Sequence, residues 1–439
     1  MIADAMWIKD YPTGWKPIAF KRGIKRMATG LNPRNNFELN PSSSGDIYYV
    51  TIRNFKNGHV FLDEKCDMIT QEAWEIIQER SDLHKGDILF ASISEEGNVY
   101  VLDEEPTNWN INESVFCIRV NKDWFTPEFF AYMVTNQMYY SYLRSDATGT
   151  TFLSIKQNKL RESILLAPPI QEQHAIVAYL DSKCAAIDEA IDRHRKIIEK
   201  LWEYRKSKIA RLVTFKDAHD VYQTDNTWFS SLPKGVSLSC IGKHFDVTLG
   251  KMLCSQPRDI DDTLEPYYCA GDVHFDGINY TDLKQMWFSP YEKEAYEIRN
   301  GDLLIVEGGA GAGNAFIVSG QKSPTYIQNS ILRIRGKKSG SIRYLRYLIE
   351  HLVTNGYISF ACNTATFSHF TKEKVLDTPF PVADIENQEA IADKIESIDS
   401  IVNECKQQHE QVVTKLEEYR KSIIYNAVTG KIDCREAVK

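Results

Sequence analysis

Leu201-Trp-Glu-Tyr-Arg-Lys-Ser207 returns as Leu416-Glu-Glu-Tyr-Arg-Lys-Ser422, a displacement of 215 residues. The same displacement relates Thr151-Phe152 to Thr366-Phe367, Gln173 to Gln388 and Ile187 to Val402. It also relates the turn Lys85-Gly-Asp-Ile-Leu-Phe90 to Asn300-Gly-Asp-Leu-Leu-Ile305. One structural unit is therefore used twice in the polypeptide, which favours an object of approximate twofold symmetry. The commonest large partner of matching symmetry is a DNA duplex with two half-sites.

Each repeated segment sits in a long helix. In the second, Ile391, Ile395, Ile398, Val402, Cys405, His409, Val412, Leu416, Tyr419 and Ile423 alternate steps of four and three, the spacing of a coiled-coil seam. Ile176, Leu180, Lys183, Ile187, Ala190, His194, Ile197, Leu201, Tyr204 and Lys208 hold the corresponding places in the first. Helices of about 40 residues extend on the order of 60 Å. The short link from Thr214 to Ser231 favours folding them back antiparallel, with the globular regions at opposite ends of a rod. His194 and His409 share one seam position; a metal or pH-sensitive pair is the alternative to polar residues that fix register, and the latter is preferred since no further ligands stand at metal spacing. Ala167-Pro-Pro-Ile-Gln-Glu-Gln173 leaves a strand through two prolines and opens the first helix. Pro379-Phe-Pro-Val-Ala-Asp-Ile-Glu-Asn-Gln388 repeats the design, with Asp384 as the expected cap.

Ahead of each helix lies a strand-rich region. Asp46-Ile-Tyr-Tyr-Val-Thr-Ile-Arg53 has strand composition and Asn54-Phe-Lys-Asn-Gly58 closes it as a turn; Glu265-Pro-Tyr-Tyr-Cys-Ala270 is the counterpart. The openings Tyr11-Pro-Thr-Gly14 and Leu232-Pro-Lys-Gly235 correspond as well. The expected fold class is α+β: two pseudo-twofold-related strand-rich domains joined by two long antiparallel coiled-coil helices. The boundaries fall at 1–167, 168–215, 216–382 and 383–439.

A chain of 439 residues with 43% hydrophobic and 26% charged residues is a folded protein of two domains plus connecting helices. Nine scattered cysteines without a Cys-x-x-Cys indicate reduced, cytosolic usage and no zinc site. The N-terminus lacks a signal-peptide pattern and no run of 18 apolar residues occurs, so neither secretion nor membrane spanning is expected. A net charge of -8 argues against wholesale wrapping of nucleic acid. Two stretches are nevertheless free of acids: Trp15 to Phe37, with Lys16, Lys21, Arg22, Lys25, Arg26 and Arg34, and Gly308 to Ile349, with Lys322, Arg333, Arg335, Lys337, Lys338, Arg343 and Arg346. Each half thus owns a positive zone able to focus a polyanion.

Catalytic signatures are missing. No Asn-Pro-Pro-aromatic tetrapeptide holds a target amine, no Gly-x-x-x-x-Gly-Lys-Ser/Thr cradles phosphates, and Asp63-x-Lys65 lacks the upstream Pro-Asp of a metal nuclease. The run Gly308-Gly-Ala-Gly-Ala-Gly313 joins Asp302-Leu-Leu-Ile-Val306 to Ala315-Phe-Ile-Val318, two strands, so it reads as a hairpin tip rather than a phosphate loop.

Thr148-Gly-Thr-Thr-Phe152, Pro168-Pro-Ile-Gln-Glu-Gln173, both copies of the Glu-Tyr-Arg-Lys-Ser segment and the terminal Ala427-Val-Thr-Gly-Lys-Ile-Asp433 resemble the DNA specificity subunit of type I restriction-modification systems. The likeness spans nearly the whole chain, departing where Asp-Ile-Glu-Asn-Gln388 replaces Pro-Ile-Gln-Glu-Gln173. It implies two target-recognition domains, 1–167 and 216–382, each reading half of a split asymmetric site in double-stranded DNA, with the helical segments as spacer and partner platform. It further implies a cytoplasmic, prokaryotic, non-catalytic chain bound to two methyltransferase subunits and to restriction (translocase) subunits. S-adenosylmethionine, ATP and magnesium are then expected on those partners, with no cofactor in this chain.

Within that expectation, Lys21, Arg22, Lys25, Arg26 and Arg34 are candidates for phosphates, with Arg53, Asn54, Thr148, Thr150 and Thr151 near bases. In the second domain the candidates are Lys251, Arg258, Asn314, Arg333 and Arg335, with Asn363, Thr364 and Thr366 near bases. Trp202, Tyr204 and Tyr419 are candidates for partner binding, or alternatively close the helical seam. A single-chain DNA-modifying enzyme and a purely structural coiled-coil scaffold are the rival classes. The first lacks its tetrapeptide and the second has no use for two divergent strand-rich domains.

Overall fold

Each Gly-Asp turn launches a strand with four consecutive buried residues, Ile88–Ala91 and Leu303–Val306. Successive side chains leave a strand on opposite faces. Ile88 and Phe90 therefore enter one core and Leu89 another, and Leu303 and Ile305 part from Leu304 and Val306 in the same way. The computed structural model describes residues 10–42, 47–56, 58–92, 98–144, 155–361 and 369–435. Packing divides the chain into two units, Met1–Arg195 with Glu410–Lys439, and Lys196–His409. Each long helix, Ile170–Val213 and Ile385–Val428, is 44 residues long and gives one half to each unit.

The two units share one plan. In the first, an antiparallel sheet has the order Ile24–Thr29, Val115–Val120, Ile88–Ala91, Val99–Val101; in the second the order is Phe245–Leu249, Ile331–Gly336, Leu303–Val306, Ala315–Ile317. Smaller three-stranded sheets accompany them, centred on Tyr48–Val50 and on Thr263–Tyr268. The opening strand of each domain pairs with the strand that feeds a long helix: Lys16–Ala19 with Ile164–Ala167, and Ser237–Cys240 with Pro379–Val382. In unit 1 the core gathers Phe125, Phe129 and Phe130 with Ile176, Leu180 and Ile187 of the first long helix and Ile423 and Ile424 of the second. In unit 2 Tyr344, Leu345 and Leu348 meet Ile209 and Val213, Ile391 and Ile395.

Several of the repeated residues close buried polar groups. Asp87 and Asp302 each receive two hydrogen bonds from one guanidinium, Arg119 at 2.8 and 2.8 Å and Arg335 at 2.7 and 2.8 Å. Each also accepts from the backbone three residues upstream, His84 N at 3.0 Å and Arg299 N at 2.8 Å. Gln173 and Gln388 are fully buried at the starts of the long helices. Gln173 Oε1 accepts from Thr126 N at 2.8 Å while Nε2 donates to Trp124 O at 2.7 Å and Pro168 O at 2.9 Å. Gln388 repeats this with Ser341 N at 2.9 Å, Ser339 O at 3.0 Å and Ala383 O at 2.8 Å. Asp384 caps the second helix as expected, accepting from Asn387 N at 2.8 Å. The terminal motif has a steric reason: Gly430 ends that helix at φ +71°, and a Cβ there would lie 2.3 Å from Pro12.

Within each unit the long helices run antiparallel. Arg195 meets Glu417 and Asp188 meets Arg420 in unit 1, while Arg205 meets Asp399 and Trp202 meets Lys406 in unit 2. The heptad reading needs correction in register. In the first helix the buried residues are Gln173, Ile176, Leu180, Cys184, Ile187, Ile191, Arg205, Ile209 and Val213, whereas Lys183, Ile197 and Tyr204 are exposed. In the second, Ile391, Ile395 and Val402 are buried but Val412 and Tyr419 are exposed. The buried stripe follows the 3.6-residue period of an undistorted helix rather than 3.5, because each helix half also packs on its strand-rich domain. The expected strand from Asp46 to Arg53 is shorter as well. It covers Tyr48–Val50, and Thr51 and Asn54 then cap a single helical turn, Ile52–Asn54.

Candidate nucleic-acid interface

Unit 1 carries a set of unneutralised cations. Lys21 and Arg22 lie on the helical turn Phe20–Gly23, Lys25 on the edge strand Ile24–Thr29, and Arg34 in the loop that follows. All four are exposed, and none makes a side-chain hydrogen bond or ion pair with a described residue. Arg26 differs: it donates to Ser81 O at 2.9 Å and Arg80 O at 2.8 Å and pairs with Asp82 at 2.9 Å, so it anchors the strand to the helix Gln71–Ser81. Arg53, 80% exposed, reaches Asp67 only at 3.7 Å. It lines a cleft with Thr51, Asn54, Phe61, Asp63, Lys65 and Asp67. Asn54 itself is buried, accepting from Thr51 N at 2.8 Å and donating to Cys66 Sγ at 2.9 Å. Lys65 and Phe61 of this cleft were not among the sequence candidates. Lys65 was singled out only within Asp63-x-Lys65, as an incomplete metal-nuclease pattern.

In unit 2 most of the acid-free stretch is neutralised by acids from elsewhere in the unit. Arg335 is bound to Asp302, Arg343 to Glu389, Asp393 and Glu396, and Arg346 to Glu350. Arg333 is 7% exposed and donates to Ala295 O at 3.0 Å, Glu297 O at 2.6 Å and Thr248 Oγ1 at 3.3 Å. Lys251 is buried against Glu292 and the ring of Phe288. Arg258 is exposed, with its side chain unengaged among the described residues. Asn314 closes the glycine hairpin, donating from its backbone N to Gly311 O at 2.9 Å. That hairpin joins Leu303–Val306 to Ala315–Ile317, with Gly309 and Gly313 at φ +83° and +85°. Thr148, Thr150, Thr151, Asn363, Thr364 and Thr366 lie outside the described residues.

The Glu-Tyr-Arg-Lys segment splits its tyrosine from its arginine. Tyr204 and Tyr419 are 50% and 52% exposed. Arg205 turns inward, where its guanidinium meets both Glu350 and Asp399, the latter at 2.7 and 3.1 Å. Among the described residues Arg420 pairs only with Asp188, at 3.4 Å. Trp202 is half-buried between the Arg205 and Lys406 cations, 5.5 and 5.7 Å from its ring centroid. Among the described residues no group of three or more His, Cys, Asp or Glu is placed to hold a metal ion, and no helix is long and apolar enough to cross a membrane.

A family model described as the type I restriction modification DNA specificity domain matches residues 28–201 and again 262–415. The chain belongs to this family. The two matches fall on the two repeats, and specificity subunits are DNA-binding, non-catalytic components of restriction-modification complexes. The chain is similar to the MjaX specificity subunit of Methanocaldococcus jannaschii, named for a type I restriction enzyme, at 22% identity over 97% of this chain and 95% of that one. Among solved structures it resembles a chain from a type I restriction-modification system studied for complex assembly and conformational transition, with a TM-score of 0.66, 17% identity, and 97% and 100% of the two chains covered. It also resembles the HsdS subunit from Thermoanaerobacter tengcongensis, with a TM-score of 0.51, 16% identity, and 97% and 99% covered. These likenesses give the fold: two strand-rich domains with two long antiparallel helices.

Proposed function

We propose that this specificity subunit reads a split, asymmetric site in double-stranded DNA, one half per strand-rich domain, and that two methyltransferase subunits and restriction subunits dock on it. The observation that carries the reading is a shared frame with unlike side chains at equivalent exposed places. Arg53 and Gly271 occupy the same step of the capped turns Ile52–Asn54 and Ala270–Asp272, and a Cβ at Gly271 would meet nothing within 4 Å. One domain thus offers a guanidinium, which suits the O6 and N7 of guanine, where the other offers open space.

In this reading Lys21, Arg22, Lys25 and Arg34 contact phosphates, which fix register without carrying sequence information. Arg258 does the same for unit 2. Arg26, Asn54, Lys251, Arg333 and Arg335 hold the frame that presents these groups. The exposed Tyr204 and Tyr419, one in each copy of the repeat, are the centres of two equivalent docking patches, which suits two copies of one partner. S-adenosylmethionine is bound by the methyltransferase subunits, and ATP and magnesium by the restriction subunits.

The test is co-expression with the partner methyltransferase, followed by long-read mapping of methylated bases. A single motif of two defined halves around a fixed unspecified gap is expected. A continuous motif from an intact complex contradicts the reading.

A further inference from the structure

Ser92 and Glu307 are related by the 215-residue displacement and by identical backbone bonds. Ser92 N donates to Ser114 O at 2.9 Å and Ser92 O accepts from Ile155 N at 2.9 Å; Glu307 N donates to Ser330 O at 2.9 Å and Glu307 O accepts from Phe370 N at 2.6 Å. The side chains differ in what they do. Ser92 is buried and satisfies itself, its hydroxyl donating to Ser114 O at 2.7 Å. Glu307 is half-buried, and its carboxylate makes no hydrogen bond or ion pair with any described residue. The nearby Ser330 hydroxyl is engaged elsewhere, with Gln328 Oε1 at 2.5 Å and Ala270 N at 3.0 Å.

A half-buried carboxylate without a donor among the described residues is a cost to the fold: burial, the largest influence, pushes its pKa up, the neighbouring His369 draws it down and Glu373 raises it further. Such costs are retained where the group acts on something outside the fold. Gly308 is pressed so close to His369 that a Cβ would lie 2.6 Å from Nδ1, while at Gly309 a Cβ would meet nothing within 4 Å. His369 thus covers the backbone at Gly308, and only at Gly309, two residues on from Glu307, can a flat ligand edge approach bare backbone closely. Lys372 and Lys374 lie on the adjacent helix Lys372–Asp377, and Lys374 Nζ donates to His369 O at 3.0 Å. Glu373 and Asp377 of the same helix balance these two cations, and Glu373 acts on the Glu307 carboxyl directly.

We propose that Glu307 is a specificity-determining residue of unit 2 that accepts a hydrogen bond from the exocyclic amino group of a cytosine or adenine. The inference rests on the reading of the chain as a two-part DNA reader. An ionised carboxylate is acceptor-only. On the major-groove edges the amino donors are cytosine N4 and adenine N6, whereas guanine O6 and N7 and thymine O4 are acceptors that a carboxylate repels. Unit 1, with a self-satisfied serine at the same place, does not apply this selection.

Long-read methylome mapping of Glu307→Gln and Glu307→Ser, each co-expressed with the methyltransferase, tests the proposal. Discrimination is expected to fall roughly ten- to a hundredfold at one base pair of one half-site, leaving the other half and the gap unchanged. Whether the relaxed position is a cytosine or an adenine identifies the amine. A wild-type motif from both variants overturns the assignment of Glu307 while leaving the two-part reading intact. Loss of all methylation with a lowered melting temperature overturns it too, because the carboxylate would then be a support of the fold. A wild-type chain that directs no bipartite methylation is instead a failure of the underlying reading.

Discussion

Replacing Gln173 by leucine keeps the side chain's approximate volume and removes all three of its hydrogen bonds. Thr126 N loses its acceptor, and Trp124 O and Pro168 O lose a donor, in a place with no access to water. A buried polar group left without a partner costs about 1–3 kcal/mol, and carbonyls tolerate this better than an N–H, so the sum is about 3 kcal/mol. Against a stability of about 5–15 kcal/mol for a typical domain, that is a large fraction. Urea unfolding should register it, and hydrogen exchange across the helix Pro127–Thr135 should show Thr126 N–H losing protection. Gln173→Glu sharpens the test. One carboxylate oxygen can still accept from Thr126 N, but the other faces two carbonyl oxygens. Its folded pKa must therefore be raised, and the destabilisation should be present at pH 7 and relieved as pH falls through that value. Gln388→Leu should act alike on Ser341 N–H. A Gln173→Leu chain within about 0.5 kcal/mol of wild type, with Thr126 still protected, would refute the claim that this repeated glutamine joins each recognition domain to its helix.

Three further outcomes are expected. Arg205→Met should cost about 3 kcal/mol in denaturant unfolding, because Asp399 loses its counter-charge among the described residues while Glu350 keeps only Arg346, whereas Arg420→Met, losing one distant and largely exposed partner, should cost about 1 kcal/mol or less. Glu307→Gln should stabilise unit 2 at pH 7: burial raises the native carboxyl's pKa above the unfolded value of about 4.3, so wild-type stability falls as pH rises through that window, and the variant's advantage should shrink as melting is measured at lower pH. Tyr204→Ala combined with Tyr419→Ala should abolish co-purification of the methyltransferase while leaving the melting temperature unchanged, since both rings are half exposed; undiminished partner recovery would sink the docking assignment.

Among the residues that repeat at a fixed displacement, the glutamines and the Gly-Asp turns were legible because they do the same buried work twice. Gln173, Gln388 and the Gly-Asp turns close polar groups that any copy of the fold must close, and Asp384 caps a helix by local geometry alone. The seam register was not legible, because a heptad assumes that a helix packs only on another helix. Here Cys184, Ile191 and Ile209 also enter a domain core, which moves the stripe by one residue at several steps. The charge reading failed in part for a similar reason. A run without acids says nothing about acids brought in from elsewhere, and Asp302, Glu389, Asp393 and Glu396 lie on either side of the arginines they neutralise. Glu307 became visible only once Ser92 was seen making the same backbone bonds.

The segment from Ser237 to Val382 enters and leaves through paired strands, with Ser237 opposite Val382, so it can be exchanged for the equivalent segment of another specificity subunit without lengthening either junction. Mapping the methylated sites of such an exchange measures the central claim directly. One half-site should be replaced while the other half persists; a motif that changes in both halves, or in neither, would contradict an account in which each domain reads its own half.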